Sequence, residues 1–175
     1  MNRAPRSLRA AVVIIFLLSP VLLTATEQTL WKIGTFNHSS SEFRNEAGIN
    51  YADPKSDPIF IVGQSKDSDW YRFQPGPANG RTGGRLHPFT IKFALNKAPR
   101  CGYQLRSAML HETPRLSFLK FDINGHSGLF YFHPKLDFHA GDWEGTFVPH
   151  TSADQKTIAI SAAWLRQGEN RLILT

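Results

Sequence analysis

From Phe89 to Leu95 the chain reads Phe-Thr-Ile-Lys-Phe-Ala-Leu, and the apolar residues Phe89, Ile91, Phe93 and Leu95 recur with a period of two. That period puts them on one face of an extended strand and Thr90 and Lys92 on the other. Residues 103–110 repeat the pattern with Tyr103, Leu105 and Met109 on one side, and the turn residues Ala98-Pro99-Arg100-Cys101-Gly102 between the two runs predict a hairpin. Pro58-Ile59-Phe60-Ile61-Val62-Gly63 is a continuous apolar run bounded by breakers, which reads as a buried strand. Residues 116–123 form another strand, closed by Asn124-Gly125, a strong short hairpin-turn signal, with residues 129–132 returning from it. A strand over 157–161, one helical turn over 162–165, and a Gly168-Glu169-Asn170 turn into a strand over 171–175 complete the series. At the other end, Leu30, Trp31 and Ile33 give a short strand signal before a break at Gly34 and an Asn-His-Ser turn that leads to Phe43.

No long stretch follows a helical period, so seven or eight short strands with turn signals between them predict an all-β, antiparallel β-sandwich. Three polar stretches separate the strands: residues 43–58, residues 64–86 and residues 133–151. The second is the longest irregular segment; it holds Trp70, Tyr71, Phe73, Arg81 and Arg85 among glycines and prolines, the kind of surface loop on which function concentrates.

Composition changes this picture in three places. Arg3, Arg6 and Arg9 precede an apolar run over 10–23 and a small-residue site at Leu23-Thr24-Ala25, which predicts a signal peptide over residues 1–25 and a secreted or periplasmic domain over 26–175. Ser19-Pro20 interrupts the run, which falls short of the roughly 20 residues that span a bilayer, so no membrane association is expected after cleavage. The net charge of +6 includes those three arginines, and the remaining chain, at about +3, has no basic run with interleaved aromatics. Nucleic acid is therefore not an expected partner. Cys101 is the one cysteine, so the fold rests on its core, to which the 13 phenylalanines contribute large apolar areas.

The stretch Trp31-Lys32-Ile33-Gly34-Thr35, the run Phe60-Ile61-Val62-Gly63-Gln64-Ser65 with Asp69-Trp70, and Phe89-Thr90-Ile91-Lys92-Phe93 with Ala98-Pro99 share a pattern with one known family. The pattern continues in Asp122-Ile123-Asn124-Gly125-His126 with Gly128 and closes on Gly168-Glu169-Asn170 before Leu172 and Leu174. Over residues 30–175 the chain resembles the carbohydrate-binding-like C-terminal domain of rhamnogalacturonan lyases, polysaccharide lyase family four. The resemblance implies a galactose-binding-like jelly roll, a polysaccharide or oligosaccharide ligand of pectic type, no cofactor, and catalysis in a separately encoded lyase domain, so no catalytic residue is carried over. The alternatives are part of a lyase acting by β-elimination, or a structural fragment without ligand. The family domain runs on into a further strand, whereas this sequence stops at Thr175. The expectation is either a truncated frame or a sandwich lacking its last strand, with an edge left open.

For such a ligand, Trp70, Tyr71 and Trp143 are candidate stacking rings, and Arg81 and Arg85 are candidate partners for a uronate carboxylate. His126, after the Asn-Gly turn, is a candidate donor to a sugar hydroxyl. Each has a plainer reading: Trp70 as a plug for one end of the sandwich, the arginines as solvated loop charges, and His126 as a residue that orders its turn. Trp31 and Trp164 are assigned to the core. His133, Asp137, His139, Asp142 and Glu144 are metal-capable but match no closed zinc or calcium spacing, and no metal site is expected. Should the loops not bind, the next candidate is an outer sheet face carrying Thr90, Lys92 and Arg106.

Overall fold

The computed structural model describes residues 27–37, 39–77, 80–111, 118–131 and 152–175. It divides into a first unit, residues 1–30, of which only 27–30 are described and have no regular structure, and a second, residues 31–175. The predicted leader lies outside the described residues, and none of the described helices is long and apolar enough to cross a membrane.

Seven strands are described: β1 (Ile59–Ile61), β2 (Phe89–Leu95), β3 (Tyr103–His111), β4 (Phe118–Ile123), β5 (His126–Tyr131), β6 (Ser152–Ile160) and β7 (Gly168–Leu174). Five of them form one sheet in the order β1-β2-β7-β4-β5, and β3 pairs with β6 in a second sheet. All ladders are antiparallel except β1 with β2, where Phe60 lies beside Ile91 in parallel. The period-two pattern of β2 is matched by its burial, with Phe89, Ile91, Phe93 and Leu95 all inside. Phe60, Phe121, Ile123 and Leu172 extend that apolar layer across the large sheet, and Ile158 and Ile160 of β6 close it from the small one. Tyr103, Leu105, Trp31 and Trp164 pack against the same cluster, as their assignment to the core requires.

Three local expectations change. β2 and β3 are not a hairpin: the two edges of β2 are occupied by β1 and β7, while Tyr103 of β3 pairs with Ile160 of β6. The 98–102 turn therefore carries the chain from one sheet to the other. The Leu30, Trp31 and Ile33 stretch forms no strand; Trp31 and Ile33 contribute side chains to the core, Trp31 with its ring 5.6 Å from that of Phe93, without joining a ladder. Gly168, Glu169 and Asn170 are the first residues of β7 rather than a turn, and β7 itself lies between β2 and β4. The last described strand is thus central, and among the described strands the large sheet ends on β1 and β5.

The Asn-Gly prediction holds in detail. Asn124 and Gly125 both have positive φ, 52° and 95°, as a two-residue turn of this hand demands, and Ile123 pairs with His126 across it. Asn124 also reaches beyond its hairpin: Nδ2 donates to Trp164 O and Asn170 Oδ1, both at 2.9 Å, and Oδ1 accepts from Arg171 N at 3.0 Å. Asn170 is fully enclosed, and its amide is satisfied by bonds to Arg166 N, Arg166 O and Gly168 O. Asn124 and Asn170, one from each motif, therefore form a partly buried polar joint between β4 and β7.

Candidate functional site

Trp70, Tyr71 and Arg85 of the loop pack into the protein. Trp70 sets its ring edge-on to Phe89 at 5.1 Å and to Phe60 at 6.2 Å, and belongs to the side chains that cover the core. Tyr71 donates its hydroxyl to Ser56 O at 2.7 Å, meets Phe89 edge-on, and has the Arg44 guanidinium 5.5 Å from its ring centre. Tyr51, buried at the middle of this group, contacts Tyr71, Phe73 and His87 edge-on and donates to Phe73 O; burial pushes its phenol up to about 12.

Arg85 is committed on every donor. Nη1 and Nη2 donate to the two Asp57 carboxylate oxygens at 2.8 Å each, while Nε, Nη1 and Nη2 also donate to the carbonyls of Tyr51, Leu86 and Asp53. A guanidinium has five N–H groups, and five bonds within the chain use them all. The Asp57 hydrogen bonds raise the Arg85 pKa further. His87 lies beside this pair with 1 % of its surface exposed, its Nδ1 3.4 Å from Asp57 Oδ1, and neither ring nitrogen at full hydrogen-bonding geometry. Burial, and after it the Arg85 charge, hold its pKa below the ordinary imidazole value against the opposing pull of Asp57 and the Thr82 backbone. Gln74 Nε2 then ties the loop to the large sheet by donating to His87 O and Leu174 O.

His126 is exposed, and its ring stacks on Trp164 at 5.4 Å and 10°. Of the remaining candidates, Trp143 and the side chain of Arg81 lie outside the described residues, as do His133, Asp137, His139, Asp142 and Glu144. Among the described residues no group of His, Cys, Asp and Glu could hold a metal ion.

A groove of about 310 Å³ is lined by Phe36, Gln104, Arg106, Ser107, Gln155, Lys156 and Thr157. β3 and β6 supply six of these residues, with Arg106 opposite Thr157 and Ser107 opposite Lys156 in the ladder. Phe36, half exposed, comes from the segment that the sequence marks as a broken strand. Its position follows from local structure: Trp31 and Ile33 anchor the segment in the core, and Gly34, at φ 70°, turns it beneath the Phe43 ring, where a Cβ would collide. Glu42 Oε1 then accepts from Thr35 N at 3.0 Å, and the backbone bonds of Glu42 and Thr35 hold its carboxyl below the usual range. Arg106 Nη2 donates to Gln104 Oε1 at 3.5 Å, and Ser107 Oγ is enclosed without a hydrogen bond.

Sequence reading places Arg106 on an outer face with Thr90 and Lys92. Those two residues are on the large sheet and Arg106 is on the small one. Phe36, Gln104, Gln155, Lys156 and Thr157 were not singled out at all. The available signal was weak: an aromatic inside a polar turn, and polar residues on two alternating strands whose pairing is long-range.

An all-β chain of two mostly antiparallel sheets is consistent with one family of carbohydrate-binding-module-like (CBM-like) domains. The CBM-like domain III of polysaccharide lyase family 4 matches residues 29–175. The chain belongs to this family. Comparison of the CBM-like domain with curated proteins returns no match. The family match spans the opening Trp31 segment, both sheets and the Asn124–Asn170 joint, so the groove lies wholly within the CBM-like domain.

Proposed function

We propose that this CBM-like domain is a non-catalytic carbohydrate-binding module for pectic or related plant polysaccharide, and that the β3–β6 groove is its contact surface. The observation that carries the reading is the groove's lining: an exposed phenyl ring, two amides, a threonine hydroxyl and two cations on paired strands. A sugar ring offers an apolar face for the phenyl group and hydroxyls for the amides, and a pocket of this size is at the small end of those that hold ligands. Strands that share a ladder hold these groups with little freedom to lose on binding.

The leader supports export, and the family supports a lyase catalytic domain as the working partner, with this module supplying attachment to substrate. Purified protein is then expected to release no unsaturated uronate ends from pectin. Titration of pectic oligosaccharides into the wild type should give saturable binding that weakens about fivefold in Phe36→Ala, the loss of one stacking contact of about 1 kcal/mol. Loss of affinity in Gln104→Ala with an unchanged unfolding midpoint would place the amides in the same surface. Equal affinity in wild type and both folded variants would move the site away from the groove.

A further inference from the structure

We infer that the outer face of the large sheet docks another protein, one that presents carboxylates among aliphatic side chains, with Lys92 and Arg171 as the residues that receive them. Side-chain alternation puts both cations on this face, because their strand neighbours Ile91, Phe93, Asn170 and Leu172 are buried on the other. Lys92 and Arg171 are also direct partners in the β2–β7 ladder. Like charges at opposed positions destabilise a sheet. Here they sit on two inner strands of the described sheet, away from the edges where a lysine serves to block unwanted pairing. Among the described residues, neither side chain has a hydrogen bond or an ion pair. Of the acids on this face, Asp122 accepts from Gly125 N and Ser127 Oγ instead, and Glu169 lies opposite Ala94.

The surroundings select the class of partner. Ile61 continues the cation row on β1, and the next row reads Ile59, Thr90, Ile173 and Asp122 across β1, β2, β7 and β4, with Ile59 56 % exposed. A protein surface supplies aliphatic groups for the isoleucines as well as carboxylates for the cations, and arginine beside apolar side chains is the composition of protein interfaces. An anionic membrane or a long polyanion would meet Asp122 and Glu169 on the same face and be repelled there. This face and the β3–β6 groove belong to different sheets, so the inference does not depend on the glycan reading.

The experiment titrates the protein with a labelled peptide of glutamates interspersed with leucines, its lysine counterpart, polyglutamate and phosphatidylserine vesicles. The glutamate–leucine peptide is expected to bind and the lysine counterpart not to bind. Lys92→Glu and Arg171→Glu should each weaken that binding at least about tenfold, whereas Arg100→Gln, which removes an exposed cation from the turn between the sheets, should leave it unchanged. Each of the two reversals should also raise the urea midpoint of the free protein, because it turns an opposed like-charge pair into an opposite-charge one. Loss of binding is thereby separated from loss of fold, and a lower midpoint in both variants would contradict the repulsion on which the inference rests. Failure of the glutamate–leucine peptide to bind would overturn the inference, as would equally tight binding of polyglutamate or vesicles, which is general polyanion attraction. Weaker binding of pectic oligosaccharide by folded Lys92→Glu would assign the face to glycan instead. A concentration-dependent dimer of the wild type that Lys92→Glu abolishes would assign it to a second copy of the chain.

Discussion

Arg85 and His87 show how a polar residue in a glycine-rich loop becomes structural. Asp57 holds Arg85 through two short bonds, and the side chains of the pair are 21 % and 12 % exposed, so neither charge has ready access to water as a substitute partner. Removing one member of such a pair leaves the other uncompensated, and Arg85→Ala is expected to cost about 3 kcal/mol of stability, read as a lower denaturant midpoint. Glycan affinity in that variant should stay at the wild-type value if the protein folds. His87 gives a pH dependence of definite sign. Its pKa in the folded chain is below the ordinary 6.5, so between the two values the unfolded chain binds more protons than the folded one. Stability is therefore full above about 6.5 and falls as pH drops through that window. Asp57, Arg85, Tyr51 and the Thr82 backbone are the groups that face the ring. Urea midpoints measured at about pH 8 and about pH 5 should differ more for wild type than for His87→Gln, whose amide does not titrate.

The strands show which element-level features carry stability. Phe93 on β2 is 8 % exposed, packs against Trp31, and belongs to the cluster shared by both sheets. Phe93→Ala should cost about 3 to 5 kcal/mol through lost burial and the cavity left behind. That is a large part of a typical stability of about 5 to 15 kcal/mol, and an unchanged denaturant midpoint would contradict the placement. On the β4–β5 hairpin, Gly128 lies opposite Phe121, whose ring covers the space that a Cβ would need. Gly128→Ala should therefore displace the Phe121 ring from its contacts with Phe130 and Trp164, at a cost of about 1 to 3 kcal/mol. Gly102, with open space around it, offers the control: Gly102→Ala should leave the midpoint within about 0.5 kcal/mol of wild type.

At the scale of the molecule, the position of β7 governs cooperativity. It pairs with β2 along seven residues and with β4 along three, so it joins β1 and β2 to the β4–β5 hairpin. The Asn124–Asn170 joint fastens the same seam with a partly buried amide bond. A chain ending before Gly168 loses both, and should show no cooperative thermal transition in circular dichroism. A transition retained in that truncated protein would show that the two halves of the large sheet hold together without β7.

Much of this architecture is legible in the residues themselves, because a period of two is a local property. The buried faces of β2 and β4, the Asn124-Gly125 turn and the all-β class follow from side-chain alternation and turn chemistry within a few positions. Alternation says which face of a strand is apolar but not which strand lies beside it. That is why β2 and β3, neighbours in sequence with similar patterns, belong to different sheets, and why the closing residues of the chain form a central strand. The candidate site divides in the same way. Trp70, Tyr71 and Arg85 have the composition of a binding loop, and only the folded chain brings Phe60, Phe89, Ser56 and Asp57 to occupy them. The groove needs Phe36 beside strands at 104–107 and 155–157, an arrangement of residues far apart in sequence that exists only once β3 and β6 have paired.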